Sequence, residues 1–255
     1  MQPKNGIMTN RRNDEAPFVF GVRVEGETFT DRRDETERLK MNFKYGVNTI
    51  LISPRRMGKT SLVDKVCSLV EGSEVRIARI DAFSCRSEYD FINSFATAVV
   101  RATSNRWEEW IENASNTTTE DVLALPEKIA EEKGYRIVVC IDEFQQIGDF
   151  QDSLTFQKKL RSVWQLQKRV SYCLYGSKKH IMETMFQNHS YPFYRFGDII
   201  YLQKISEEDW VKFICARFEA TGKPIPESIA KEPRTLTHRY SSYVQQLSWF
   251  VWLKT

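Results

Sequence analysis

The run Ser53-Pro54-Arg55-Arg56-Met57-Gly58-Lys59-Thr60-Ser61 has the residue types that hold a chain of phosphates. In such a loop the backbone N–H groups, with the N-terminus of the helix that follows, cradle phosphate oxygens. A lysine ammonium reaches the β- and γ-phosphates, and the next hydroxyl coordinates Mg²⁺. Lys59 and Thr60 match those two roles, and Arg56, Met57, Gly58 and Ser61 complete the nucleotide-binding loop. The pattern departs at one point: its first glycine is replaced by Ser53, so a residue with a Cβ must occupy that turn.

Further along, the apolar run Ile137-Val138-Val139-Cys140-Ile141 delivers two adjacent carboxylates in Asp142-Glu143-Phe144-Gln145. Beside a phosphate loop, Asp142 suits the Mg²⁺ shell, and Glu143 suits orienting or deprotonating the attacking water. Without the loop, the same pair would read as the acidic first turn of a helix. A third run, Tyr172-Cys173-Leu174-Tyr175-Gly176-Ser177, ends in a small polar residue. Ser177 is placed to sit between the acids and the γ-phosphate and report its presence, although alone a terminal Gly-Ser is an ordinary turn. No Asn-Lys-x-Asp segment is present to select guanine, which leaves ATP with Mg²⁺ as the expected nucleotide and metal.

These residues need strands and helices to position them. Strands are predicted at 47–52, 75–80, 137–141, 171–175 and 199–202, the first β-branched and the third the most apolar short run in the chain. Between them lie predicted helices at 29–43, 60–70 and 87–103, a mostly helical stretch over 105–133 broken by a polar loop at 113–119, and a long basic helix over 151–169. Strands separated by helix-length segments give an α/β fold with a mostly parallel sheet. After Gln203 the pattern is helical only, opened by the cap Ser206-Glu207-Glu208-Asp209. The expected organisation is a flexible arm over 1–17, an ATPase core over 18–203 and a small helical lid over 204–255.

Composition narrows the remaining classes. The 255 residues are 41% hydrophobic and 28% charged, ordinary for a globular protein and far from a disordered one. Lys plus Arg total 37 against 34 for Asp plus Glu, a formal charge of +3 that does not imply nucleic acid by itself. No stretch approaches the roughly 18 consecutive apolar residues of a membrane span. Cys67, Cys85, Cys140, Cys173 and Cys215 are scattered and never form a C-x-x-C pair, which argues against a disulfide framework or a zinc site and fits a reducing cytoplasm. His180, His189 and His238 have no metal-ligand spacing. The polar segment Met1 to Pro17 has no apolar core of a secretory signal.

In order along the chain, Phe29-Thr30-Asp31-Arg32, the Pro54 to Leu62 loop, Asp142 to Gln145, Gly176-Ser177, Tyr191-Pro192-Phe193-Tyr194-Arg195 and Tyr243-Val244-Gln245 resemble the archaeal-type ATPase family. This is a branch of the STAND- and AAA+-related P-loop ATPases that also occurs in bacteria. The resemblance implies a P-loop NTPase three-layer fold followed by a helical lid, and ATP hydrolysis used as a conformational switch, slow until an oligomer or partner completes the site. It implies that Arg32 lies near the adenine side, and that Ser177 holds the sensor position. Arg195 matches the arginine closing a Pro-Leu-Tyr-Gly-Arg-like segment whose glycine is absent here. Arg239-Tyr240-Ser241-Ser242 replaces the family's Gly-x-Pro-like turn before the Tyr-Val-Gln helix. Family members continue into an effector-bearing C-terminal region, and the helix from Val244 to Leu253 is apolar on too many sides for a free terminus. A lid that stops early, covered by such a region, a second copy or a partner, is the expectation.

Two other classes share parts of this pattern. A DNA-associated ATPase adaptor or loader would use Lys158, Lys159, Arg161, Lys168 and Arg169 as a groove, though a basic helix is more simply a solvated face. A small-molecule kinase would share the phosphate loop, but the acid pair argues for water as the acceptor. Trp107, Trp110 and Trp164 read as packing or partner contacts rather than base-stacking platforms. Lys178-Lys179 is the basic pair nearest Ser177.

Overall fold

The computed structural model describes residues 16–21, 32–103, 118–238 and 240–255. Its centre is a sheet of β1 (Thr49–Ile52), β2 (Val75–Asp81), β3 (Arg136–Asp142), β4 (Val170–Gly176) and β5 (Asp198–Tyr201). All five predicted strands are present within a residue or two. Every pairing is parallel, in the order β2-β3-β4-β1-β5. Parallel strands need covered faces, and β1 and β4 are buried along their whole length.

Period-2 alternation splits the sheet residues between two apolar clusters. One face presents Ile50, Ile52, Val139, Ile141 and Leu174 to α3 (Glu88–Thr103), α4 (Thr119–Lys133), α5 (Ser153–Trp164) and α6 (Lys179–Gln187). The other presents Leu51, Val138, Cys140, Cys173 and Tyr175 to α1 (Arg33–Tyr45) and α2 (Lys59–Val70). The result is three layers, helices on both sides of a parallel sheet. A third cluster joins α7 (Glu207–Ala220), α8 (Glu227–Leu236) and α9 (Ser241–Lys254) through Trp210, Ile214, Phe218, Ala230 and Val244. Phe18, on the other side of the expected boundary, also belongs to it and lies 5.4 Å from the Phe218 ring.

Local chemistry sets the helix ends. Ser206 caps α7 by accepting from the Asp209 N–H, as its sequence suggests. Thr118 and Asp121 form a reciprocal capping box for α4, so the helix already includes Thr119, inside the stretch expected to be a loop. Phe29 to Asp31, most of the 1–17 arm, the stretch with Trp107 and Trp110, and Arg239 lie outside the described residues.

The long basic helix is corrected. It covers Ser153–Trp164 rather than 151–169. The Glu127 carboxylate accepts from the Lys168 and Arg169 N–H groups, drawing that segment out of the helix and into β4. Lys168 and Arg169 therefore do not continue the Lys158–Arg161 face. Trp164 is a packing residue, 1% exposed, stacked on Tyr172 with ring centroids 3.9 Å apart.

Candidate nucleotide site

The topology assembles the site. β4 lies between β1 and β3, and its register sets Gly176 opposite Ile52. The loop after β1, the acids after β3 and Ser177 after β4 thus emerge side by side at the C-terminal edge of the sheet, where open parallel sheets bind ligands.

The loop is shaped by two left-handed residues, Arg56 at φ 65° and Gly58 at φ 83°. Ser53 is not among the residues with positive φ, which explains why a Cβ is tolerated where the usual pattern has glycine. It is 1% exposed and serves as an anchor, its carbonyl accepting from Lys59 Nζ at 3.0 Å. The Pro54 carbonyl accepts from the same ammonium at 2.9 Å. Gly58 occupies the N-cap of α2 and has no side chain to cap it, so the first N–H groups of that helix face the cleft. Burial pulls the Lys59 ammonium down to about 8, although Glu143 and Asp142 nearby favour its charge.

Thr60 Oγ1 donates to Asp142 Oδ2 at 2.8 Å. Burial pushes the Asp142 carboxyl above its usual range; the bonds from Thr60 and from the Glu143 N–H oppose this, while Glu143 and Asp81 reinforce it. A hydroxyl and neighbouring carboxylates, one of them destabilised in its charged form, are hard oxygen donors that fit Mg²⁺. Glu143 has left-handed backbone, φ 50°. Its Oε2 accepts from Ser177 Oγ at 2.8 Å, from the Ser177 N–H at 3.2 Å and from the Gln145 side-chain amide. Burial alone would raise Glu143, but these bonds hold it below the usual range.

A cleft of about 550 Å³ opens over these groups and brings together Arg32, Arg56, Met57, Gly58, Lys59, Thr60, Ser61, Asp142, Glu143 and Ser177. Arg32 is 6% exposed and works as a staple: it donates to the Met57 carbonyl and to the Gln203 carbonyl, each at 2.9 Å, and pairs with Glu35 at 3.1 Å. Burial lowers its guanidinium, with Glu35 acting in the opposite direction. Arg195 is exposed, has φ 52° and lies over the Tyr194 ring; it does not line the cleft. Lys178 and Lys179 are engaged by Asp149 and Glu183, at 3.6 and 3.7 Å.

Sequence reasoning missed several neighbours. Arg55 Nε donates to Ser177 Oγ at 3.1 Å, tying the loop to β4. From the helical side, the Arg56 guanidinium stacks on the Tyr243 ring at 4.6 Å, and Gln245 Oε1 accepts from the Val19 N–H at 3.4 Å. Val19, Phe20 and Gly21 thereby form one wall of the cleft. The sequence gives no signal for a contact between chain positions this distant. Gln145 was visible only as part of a motif.

No protein-family model matches the sequence, and neither does any curated protein. Solved structures do match. The Walker-type ATPase paby2304 of Pyrococcus abyssi superposes with a TM-score of 0.71 at 15% identity, over 91% of this chain and 70% of its own. The Aeropyrum pernix ORC2 protein, solved as ADPNP–ADP complexes, gives 0.59 at 18% identity over 82% of this chain and 56% of its own. The Aeropyrum pernix ORC1 protein in complex with DNA gives 0.60 at 14% identity over 89% and 61%. This chain thus spans less than two thirds of either ORC protein. With its parallel sheet and covering helices, the likeness shows that the chain has the three-layer α/β fold of the P-loop NTPases.

Proposed function

We propose that this protein binds ATP with Mg²⁺ and hydrolyses it, using the cycle as a conformational switch, in the manner of the STAND- and AAA+-related ATPases. The observation that carries the reading is the contact of Thr60 with Asp142 beside Lys59, which joins the phosphate loop to the acid pair. Thr60 and Asp142 would hold the ion, whose charge offsets that of the phosphates. Lys59 exchanges the Ser53 and Pro54 carbonyls for phosphate oxygens, the α2 N-terminus and loop N–H groups cradle them, and Glu143 orients and deprotonates water. Ser177 stands between loop and acids as the reporter.

The contacts of Arg56 with Tyr243 and of Gln245 with Val19 support reading residues 204–255 as a lid over a core at 18–203. Phe250 and Leu253 on α9 are exposed, and this reading gives them a covering second copy or partner, with turnover slow until it docks. A cytoplasmic setting goes with the free cysteines. Lys59→Ala should abolish ATP binding in a fluorescent-nucleotide titration, and retained affinity would sink the assignment.

The second reading is a DNA-associated ATPase, favoured by the match to an ORC1 protein solved with DNA. It requires an affinity for DNA that falls steeply with salt. Turnover unchanged by DNA, with no such binding, removes it.

A further inference from the structure

We propose that Arg55 is a further catalytic residue for the proposed hydrolysis: from within the phosphate loop, its guanidinium binds the γ-phosphate of its own chain's nucleotide and stabilises the charge there in the transition state. The inference rests on the reading above, in which the cleft holds ATP with its phosphates at Lys59.

Arg32, Arg55 and Arg56 all line the cleft, and their surroundings separate them. Arg32 directs its donors to the Met57 and Gln203 carbonyls and to Glu35. Arg56 lies over the Tyr243 ring. Arg55 is exposed and donates from Nε to Ser177 Oγ at 3.1 Å, and no described residue takes a hydrogen bond from its two terminal nitrogens. The left-handed backbone at Arg56, φ 65°, sends the two neighbouring side chains to different walls, Arg55 to the end of β4 and Arg56 to α9.

The bond to Ser177 sets where Arg55 acts. The Ser177 hydroxyl gives its one proton to Glu143 Oε2 at 2.8 Å, so it receives the Arg55 N–H on a lone pair. One hydroxyl thus separates the guanidinium from the carboxylate assigned to the attacking water. On its other side, the Arg55 charge reaches the Lys59 ammonium and disfavours it, a repulsion that a phosphate bound to both would relieve. The γ-phosphate held by Lys59 and attacked by a water at Glu143 lies within reach of this fork. In the reaction the water oxygen bonds to the γ-phosphorus as the bond to the β–γ bridging oxygen breaks. The water's proton passes to Glu143, and ADP and inorganic phosphate leave. Charge is spread over the γ-oxygens in the transition state, and two unengaged nitrogens in a planar fork can meet two of them at once.

Arg55→Met keeps the stem of an exposed side chain and removes its charge. Turnover at saturating ATP should fall by about a hundredfold or more, while ADP affinity stays the same. ADP with Mg²⁺ and aluminium fluoride, which imitates the transferring phosphoryl group, should bind more weakly by a similar factor, because the lost contact belongs chiefly to the transition state. Arg55→Lys should recover only part of the turnover, since a point charge cannot reproduce the fork. A mixture of Arg55→Met and Lys59→Ala chains should stay inactive, because each arginine serves its own loop. Turnover that Lys59→Ala abolishes but Arg55→Met leaves unchanged would overturn the proposal alone. So would an equal loss of affinity for ADP and for the fluoride complex, or turnover regained in the mixture. Failure of the ATPase reading itself would appear in the unsubstituted chain, as no turnover dependent on Lys59.

Discussion

Thr60 Oγ1 and Asp142 Oδ2 are joined at 2.8 Å across a sequence separation of 82 residues. If both serve one ion, their removal should not be additive. Thr60→Val and Asp142→Asn should each weaken Mg²⁺-dependent ATP affinity by about tenfold or more, on the order of 1.4 kcal/mol. The double variant should fall little below the weaker single one. Titrations with Mg²⁺ and with a chelator check this, and full additivity would separate the two roles.

Lys59 gives a pH dependence with a definite sign. Its folded value of about 8 lies below the ordinary lysine value of 10.5, chiefly through burial, so the unfolded chain binds the extra proton between them. The nucleotide-free fold should therefore gain stability from this group as pH rises through that window. Binding is expected to run the other way, because phosphates need the ammonium. ATP affinity should fall above pH 8, and binding at pH 8.5 to 9, about the middle of the window, should take up protons. Calorimetry in buffers of different ionisation enthalpy measures that uptake, and its absence would contradict the buried, partly neutral lysine.

Glu143→Gln should keep ATP binding and lower turnover by about a hundredfold or more, the usual contribution of a general base. Single-turnover hydrolysis checks it. Unchanged turnover would remove Glu143 from that role.

Trp164 tests the fold separately from the chemistry. It is 1% exposed, stacks on Tyr172 and touches the Phe95, Phe144 and Phe193 rings. Trp164→Ala should destabilise by about 3–5 kcal/mol through lost burial and the cavity left behind. Urea unfolding reads this directly, and a loss below about 1 kcal/mol would mean that this core collapses to fill the space.

The strands were legible because a parallel sheet covered on both faces demands aliphatic runs, and Ile137 to Ile141 has no other use. The phosphate loop and acid pair were legible because their chemistry fixes residue types at close spacing. Other features were set by distant parts of the chain. The end of α5 depends on Glu127, which lies on α4 and takes the Lys168 and Arg169 N–H groups. Arg32 lines the cleft and its donors go to the Met57 and Gln203 carbonyls, a use that no local pattern encodes. The tolerance of Ser53 needed backbone angles, because the left-handed turn passes to Arg56 and Gly58 instead.

The placement of β4 between β1 and β3 also orders events at the ribosome. A nascent chain appears N-terminus first. β2 and β3 can pair once Arg136–Asp142 has emerged, but β1 borders only β4 and β5, so both of its edges stay bare until Val170–Gly176 and Asp198–Tyr201 are made. The phosphate loop, attached to β1, is synthesised before the two strands that seat it. An interrupted translation product ending before Val170 would carry the loop's full sequence with its strand unpaired.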